Sequence, residues 1–206
     1  MTAVKESAGV LCYSLSEIAL FKRTLSHWTL DKDVRQKYLK ICVERCLEMR
    51  IISDEEIVTY LKEKKLLPED FKPNLTVRSG GWHNRFEQEV KGESGNTFKL
   101  IVRQNKFNAF DFSVILGVFI AGNFFHLKRY NGNSHRHANK LEKEEVKGFH
   151  IHTATERYQE AKWQPEGYAI STTSYYDWRT ALSACLKENN FVVPVEREQR
   201  RLNDGN

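Results

Sequence analysis

Hydrophobic positions change their period along this chain, and the change separates two kinds of element. Over the first third they recur at helical spacing. Leu15, Ile18, Ala19 and Leu25 mark a short amphipathic helix, and Val34, Tyr38, Ile41, Cys42 and Leu47 predict a longer one from about Asp31 to Arg50. Ser53-Asp54-Glu55-Glu56 has the form of a capping box: the serine oxygen can accept from the third helical amide while Glu56 reaches back. Ile57, Tyr60 and Leu61 supply the apolar stripe that follows, and Pro68 ends the segment.

From about Leu75 the period becomes two. Phe86, Gln88 and Val90 alternate with Arg85, Glu87 and Glu89, and Phe98, Leu100 and Val102 alternate with Lys99, Ile101 and Arg103. Gly92-Glu93-Ser94-Gly95-Asn96 joins the two runs as a hairpin. Phe112 to Val118 predicts a buried strand, Phe124 to Tyr130 another, Asn131-Gly132-Asn133-Ser134 a turn, and Gly148 to Thr155 a last strand. The charged stretch Lys140 to Lys147 is expected to be a solvated loop or half-turn. Thr172-Thr173-Ser174 offers an N-cap for a closing helix with Trp178, Ala181, Leu182, Cys185 and Leu186 as its stripe. The order predicts an α+β fold: N-terminal helices, then a mainly antiparallel β-sheet, then a C-terminal helix. The expected divisions are a helical region over 1–72, a sheet domain with the closing helix over 73–193, and a charged, disordered tail over 194–206.

Composition narrows the class. With 206 residues, 40% of them apolar, the chain can bury a sizeable core. No apolar run approaches the roughly 18 residues that span a bilayer. The longest, Phe110 to Ala121, is broken by Asp111, Ser113 and Gly117. Met-Thr-Ala-Val-Lys-Glu lacks the form of a signal peptide, so a soluble, cytoplasmic protein without a membrane partner is expected. Four cysteines form no disulfide framework in a chain this long, and Cys42 and Cys46 share a helix face with no second pair to complete a metal site. The net charge of +5 is mild and favours a polyanionic partner, RNA before DNA, while the N-terminal helices are a candidate protein-binding element. No glycine-rich phosphate loop, nucleophile elbow or His-Glu-x-x-His occurs, so no cofactor is expected.

Four of the seven histidines fall in His135-Arg136-His137 and His150-Ile151-His152. If Phe149, Ile151 and Thr153 mark the core side of the last strand, His150 and His152 project from the opposite, open face. His126, Lys128 and Tyr130 would join them if Phe125 and Leu127 point inward. Cleavage of RNA by its own 2′-hydroxyl needs a base, an acid and a cation, and histidines with an arginine supply all three near neutrality. The candidate catalytic set is His150 and His152 as base and acid, Arg157 as phosphate clamp, and Tyr158 as hydrogen-bond donor or base platform. Lys128, Arg129, Tyr130, His135, Arg136 and His137 are the candidate substrate-binding set. The leading function is thus a metal-independent endoribonuclease of bacterial toxin or phage-defence type. A non-catalytic nucleic-acid- or protein-binding module is the alternative, and a metal-dependent hydrolase the third, since His-x-His on a strand is a common half-site. A bland reading also stands: a histidine pair satisfied by backbone carbonyls. Gly80-Gly81-Trp82-His83-Asn84 puts aromatic and polar groups on a turn, and Asn105, Asn108 and Asp111 form another around Phe107 and Phe110.

The run Arg129-Tyr130-Asn131-Gly132-Asn133-Ser134-His135-Arg136-His137-Ala138-Asn139, with Phe149-His150-Ile151-His152-Thr153-Ala154-Thr155-Glu156-Arg157-Tyr158, resembles an uncharacterised family of small bacterial proteins. The similarity covers roughly Leu75 to Asn190. It implies bacterial or phage origin and a coherent motif, and it carries no activity.

Overall fold

The computed structural model describes residues 50–77 and 81–192, together with Asp33 and Gln36, which are helical. The remainder of the helix expected from Asp31, the shorter helix before it and the tail from residue 194 lie outside the described residues. The chain divides into a unit of residues 1–51 with 120–123 and a second of 52–119 with 124–206. The sheet, apart from Ile120 and Asn123 at the ends of two strands, and its helices belong to the second.

Helix α1 spans Asp54–Lys62, and Ser53 caps it as its sequence predicts: Glu56 N donates to Ser53 Oγ at 3.2 Å, and Ser53 N to Glu56 Oε2 at 3.3 Å. The strands follow as β1 (Lys65–Leu66), β2 (Thr76–Val77), β3 (His83–Gly92), β4 (Thr97–Asn105), β5 (Phe112–Ile120), β6 (Asn123–Asn131), β7 (His137–Asn139), β8 (Glu144–Val146) and β9 (His150–Thr153). Then come α2 (Glu156–Glu160), a 3-10 turn (Pro165–Gly167), β10 (Tyr168–Ser171), α3 (Trp178–Glu188) and β11 (Phe191–Val192). One sheet runs in the order β10-β9-β6-β5-β4-β3-β1-β11 with β2 beside β3, and β7 and β8 form a separate hairpin. Pairing is mainly antiparallel; β1 with β11 is parallel. The architecture is α+β.

Period two builds the core. Phe98, Leu100 and Val102 pair across the strands with Val118, Leu116 and Val114, and all six are fully buried. Each such side chain contributes about 2 kcal/mol by leaving water. Ile57 of α1 is buried, Tyr60 meets Phe98 edge-on, and α3 buries Trp178, Ala181, Leu182 and Cys185. The opposite parity of β5 is buried as well at Ser113 and Ile115, as its near-continuous apolar run requires.

Lys65 joins two helix ends. Its Nζ donates toward the carbonyls of Tyr60 (2.8 Å), Leu61 (3.1 Å) and Glu63 (2.7 Å) at the close of α1, and of Asn189 (3.0 Å) after α3. Unpaired carbonyls at a helix C-terminus attract a cation, so this fully buried ammonium caps both. Burial pushes it down to about 8.

Four features depart from expectation. Lys140 to Lys147 is a turn only over its first half: Glu144–Val146 pairs with His137–Asn139 around that turn, in which Lys143 has φ 58°. Charged three-residue strands have no apolar period to announce them. The same is true of β10, whose Tyr-Ala-Ile-Ser is too short to show alternation. Helix α3 takes its cap from Asp177, not from Thr172-Thr173-Ser174, with Thr180 N donating to Asp177 Oδ1 at 2.7 Å. The sheet also takes in Lys65–Leu66, so the end of the 1–72 segment is built into the sheet unit.

Candidate functional site

Register brings the site together. Across β6, β9 and β10, Arg129 pairs with His152 and then Ala169, and Asn131 with His150 and then Ser171. Directly opposed residues share a face, so Arg129, Asn131, His150 and His152 do. The β7–β8 hairpin lies over that face. Asn139 fastens it, donating from Nδ2 to Ala169 O and accepting from Ala169 N, both at 2.9 Å, and His137 Nε2 donates to Gly167 O at 2.8 Å. Gly132, in the connection from β6 to β7, passes so close to the β4–β5 loop that a Cβ there would collide with Phe110 O.

The two histidine pairs therefore meet. Ring centroids are 4.4 Å apart for His137 and His152, 4.9 Å for His150 and His152, 5.4 Å for His135 and His150, and 5.8 Å for the stacked pair His137 and His150. Exposure is graded across them: His135 is open to solvent, His137 half-buried, and His150 and His152 are buried.

Hydrogen-bond partners decide where the protons sit. His150 Nδ1 lies 2.7 Å from Gly148 O and His152 Nδ1 3.0 Å from Glu166 O. A carbonyl only accepts, so both Nδ1 atoms carry hydrogen. Each Nε2 is then a lone pair, and Asn131 Nδ2 reaches both, at 3.4 Å to His150 and 3.2 Å to His152. The amide is held that way round because its Oδ1 accepts from Ser113 Oγ at 2.8 Å. In His137 the Nε2 proton goes to Gly167 O, leaving Nδ1 as the lone pair. Tyr175 Oη braces the two strands beneath, 3.0 Å from Asn131 O and 2.9 Å from His150 O.

These imidazoles are neutral near pH 7. Burial, then the Arg129 guanidinium and the rings of His137 and His150, push His152 down to about 2. Burial lowers His150 and His137 too, with Arg129 and His135 adding to it. Arg129 is half-buried, its Nε is buried without a partner among the described residues, and burial lowers it despite the Glu166 carboxylate. Burial alone would raise Glu166, but its 2.7 Å contact with His126 Nδ1 and the charge of Arg129 hold it below the usual carboxylate range.

Of the residues singled out in the sequence, His135, His137, His150, His152 and Arg129 come together. The open-face expectation for His150 and His152 is corrected: their side is the buried one, because the hairpin and the 3-10 turn cover it, while Ile151 and Thr153 are only half-buried. Tyr130 belongs to the α3 side, fully buried, with Oη donating to Glu188 Oε2 at 2.7 Å; Lys128 faces the same carboxylate at 3.5 Å. Arg157 and Tyr158 both bind Glu142, the arginine as an ion pair and Tyr158 Oη at 2.7 Å, fastening α2 to the hairpin turn. Arg136 pairs with Glu145 at 3.2 Å. Asn131, Ser113, Tyr175 and Glu166 were not anticipated. Asn131 shares strand parity with Arg129, which was a usable signal; Glu166 had none.

Among the described residues no group of three His, Cys, Asp or Glu side chains is arranged to hold a metal ion. The lone pairs of His150 and His152 converge on the Asn131 amide instead. No described helix is long and apolar enough to cross a membrane. Compared with known proteins, the chain matches no family, no curated protein and no solved structure.

Proposed function

We propose that this is an RNA-directed protein of the bacterial toxin or phage-defence kind, a metal-independent endoribonuclease working in the cytoplasm with the histidine cluster as its site. One observation carries the reading: both His-x-His pairs and Arg129 form a single cluster that is open to solvent at His135. Burial supports giving the substrate-facing roles to His135 and His137, with His150 and His152 beneath them as positioning residues. His137 is neutral with Nδ1 unspent on Gly167, which suits the base that takes the ribose 2′-proton. The 2′-oxygen attacks phosphorus and the bond to the 5′-oxygen breaks. His135, in its protonated form, returns a proton to that leaving oxygen, giving a 2′,3′-cyclic phosphate and a 5′-hydroxyl. Arg129 offsets the charge of the phosphate from below.

The test is incubation of purified protein with mixed-sequence RNA, with and without chelator, beside His137→Ala and an RNA carrying 2′-deoxyribose. Chelator-resistant cleavage, cyclic-phosphate ends, and loss of cutting in the variant and on the deoxy substrate are the expected results. Cleavage abolished by chelator favours a metal-dependent hydrolase. No cleavage, with RNA binding that Arg129→Ala weakens at low salt more than at high, favours a non-catalytic binding module.

A further inference from the structure

Three large aromatic side chains stand in solvent beside the histidine mouth. Trp82 is 71% exposed, Phe107 80% and Phe110 55%. Exposed apolar surface of this size needs a reason, because water penalises it. These rings are also held in place. In the β4–β5 loop Asn105 Nδ2 donates to Asp111 Oδ2 (2.9 Å), Phe107 N to Asn105 Oδ1 (2.9 Å) and Phe110 N to Asn108 Oδ1 (3.0 Å). Lys106 N donates to Trp82 O at 3.0 Å, and the Trp82 and Phe107 rings meet edge-to-face at 6.0 Å. A polar scaffold thus presents the rings outward.

The scaffold is continuous with the site. Asp111 Oδ1 accepts from Ser134 Oγ at 3.4 Å, and that oxygen lies 3.2 Å from His135 Nδ1. Asp111 Oδ2 is 3.5 Å from His83 Nε2, next to Trp82. Phe110 packs toward Phe149, one residue before His150, at 6.4 Å. A cationic residue, Lys106, lies within the loop beside Phe107, and Arg103, exposed on β4, stands directly opposite Ser113 of the site.

We infer that Trp82, Phe107 and Phe110 form a stacking platform for unpaired bases, so that the substrate of the histidine site is single-stranded RNA. The inference rests on the function proposed above. A protein ligand is less well matched: on these two loops every exposed large apolar side chain is aromatic, and the loop carries the cationic residue Lys106 and no exposed large aliphatic. Flat rings beside positive charge suit the faces of bases and the phosphates between them. In a duplex those base faces are hidden, so a helical substrate gains nothing from the platform. A strand whose bases lie on the loop would carry its backbone toward His135.

Binding, measured apart from cleavage, tests this. The anisotropy of a labelled short single-stranded RNA, its cleavage blocked by 2′-deoxyribose, is followed with wild-type protein, Trp82→Ala/Phe107→Ala and Val58→Ala. The same strand in a duplex is the competitor. The single strand is expected to bind at least about tenfold more tightly than the duplex, and the double aromatic variant to bind it about tenfold or more weakly. Val58→Ala, at an exposed position on α1 outside the site and the aromatic loop, is expected to bind as wild type. Exposed positions tolerate truncation, and an unchanged urea midpoint verifies that the fold is kept. Quenching of Trp82 fluorescence on binding, absent in Trp82→Phe, is the second readout. Equal affinity for strand and duplex, or an unaltered affinity in the double variant while cleavage of RNA persists, overturns the platform and leaves the ribonuclease standing. Failure of the wild type to bind any RNA overturns both.

Discussion

Acid should unfold this protein through a residue that stays neutral in the folded state down to about pH 2. Burial beside Arg129 lowers His152 to about 2, whereas the unfolded chain returns it to the ordinary value of 6.5. The unfolded state then binds more protons than the folded one throughout that window, so stability rises with pH across it. The contribution is fully present above about 6.5 and is lost as pH falls toward 2. Each unit below the unfolded value is worth about 1.4 kcal/mol, so moving from about pH 7.5 to about pH 5 removes about 2 kcal/mol through His152 alone. His150 and His137 are lowered as well and act in the same direction. Urea unfolding at the two pH values, for wild type and His152→Asn, isolates the single residue. The variant starts less stable, by about 1–3 kcal/mol, because it disturbs the partners of Asn131 Nδ2 and Glu166 O. Its pH-dependent loss should nevertheless be smaller than wild type by about 2 kcal/mol. An identical loss in both proteins would refute the account, since His152 would then be no better desolvated than a surface histidine.

Other perturbations test the supports of the site and fold. Lys65→Met removes the donor that four carbonyls share and should cost about 3 kcal/mol in urea; a loss below about 1 kcal/mol would mean that water reaches those carbonyls. Tyr175→Phe should cost about 1 kcal/mol and shift the His150 ring resonances, because its hydroxyl bridges Asn131 O and His150 O; unchanged spectra would contradict that bridge. Gly132→Ala forces a Cβ against Phe110 O and should destabilise by about 2 kcal/mol while disturbing both loops at the mouth, read as altered Trp82 fluorescence.

Short-range patterns in the chain were enough for the scaffold. The Ser53 capping box, the alternation in β3 and β4, the apolar run of β5 and the stripe of α3 each depend on neighbours within a turn or a hairpin, where period alone reports the local structure. Alternation likewise separated His150 and His152 from Ile151. It could not say which set is covered, because a strand shows two faces and the cover comes from elsewhere in the chain. Here the cover is a hairpin of charged residues and a 3-10 turn, docked by Asn139 on Ala169 and His137 on Gly167, thirty residues away in each case. Arg157 and Tyr158 looked like site residues because they follow the histidines in sequence, yet α2 turns them toward Glu142. Residue types and spacing by themselves determined that four histidines and an arginine fall in one short stretch of the chain. Only the β6–β9 register, the close approach at Gly132 and the docking of β7 decided that they form one cluster, since each is a contact between segments that no local period encodes.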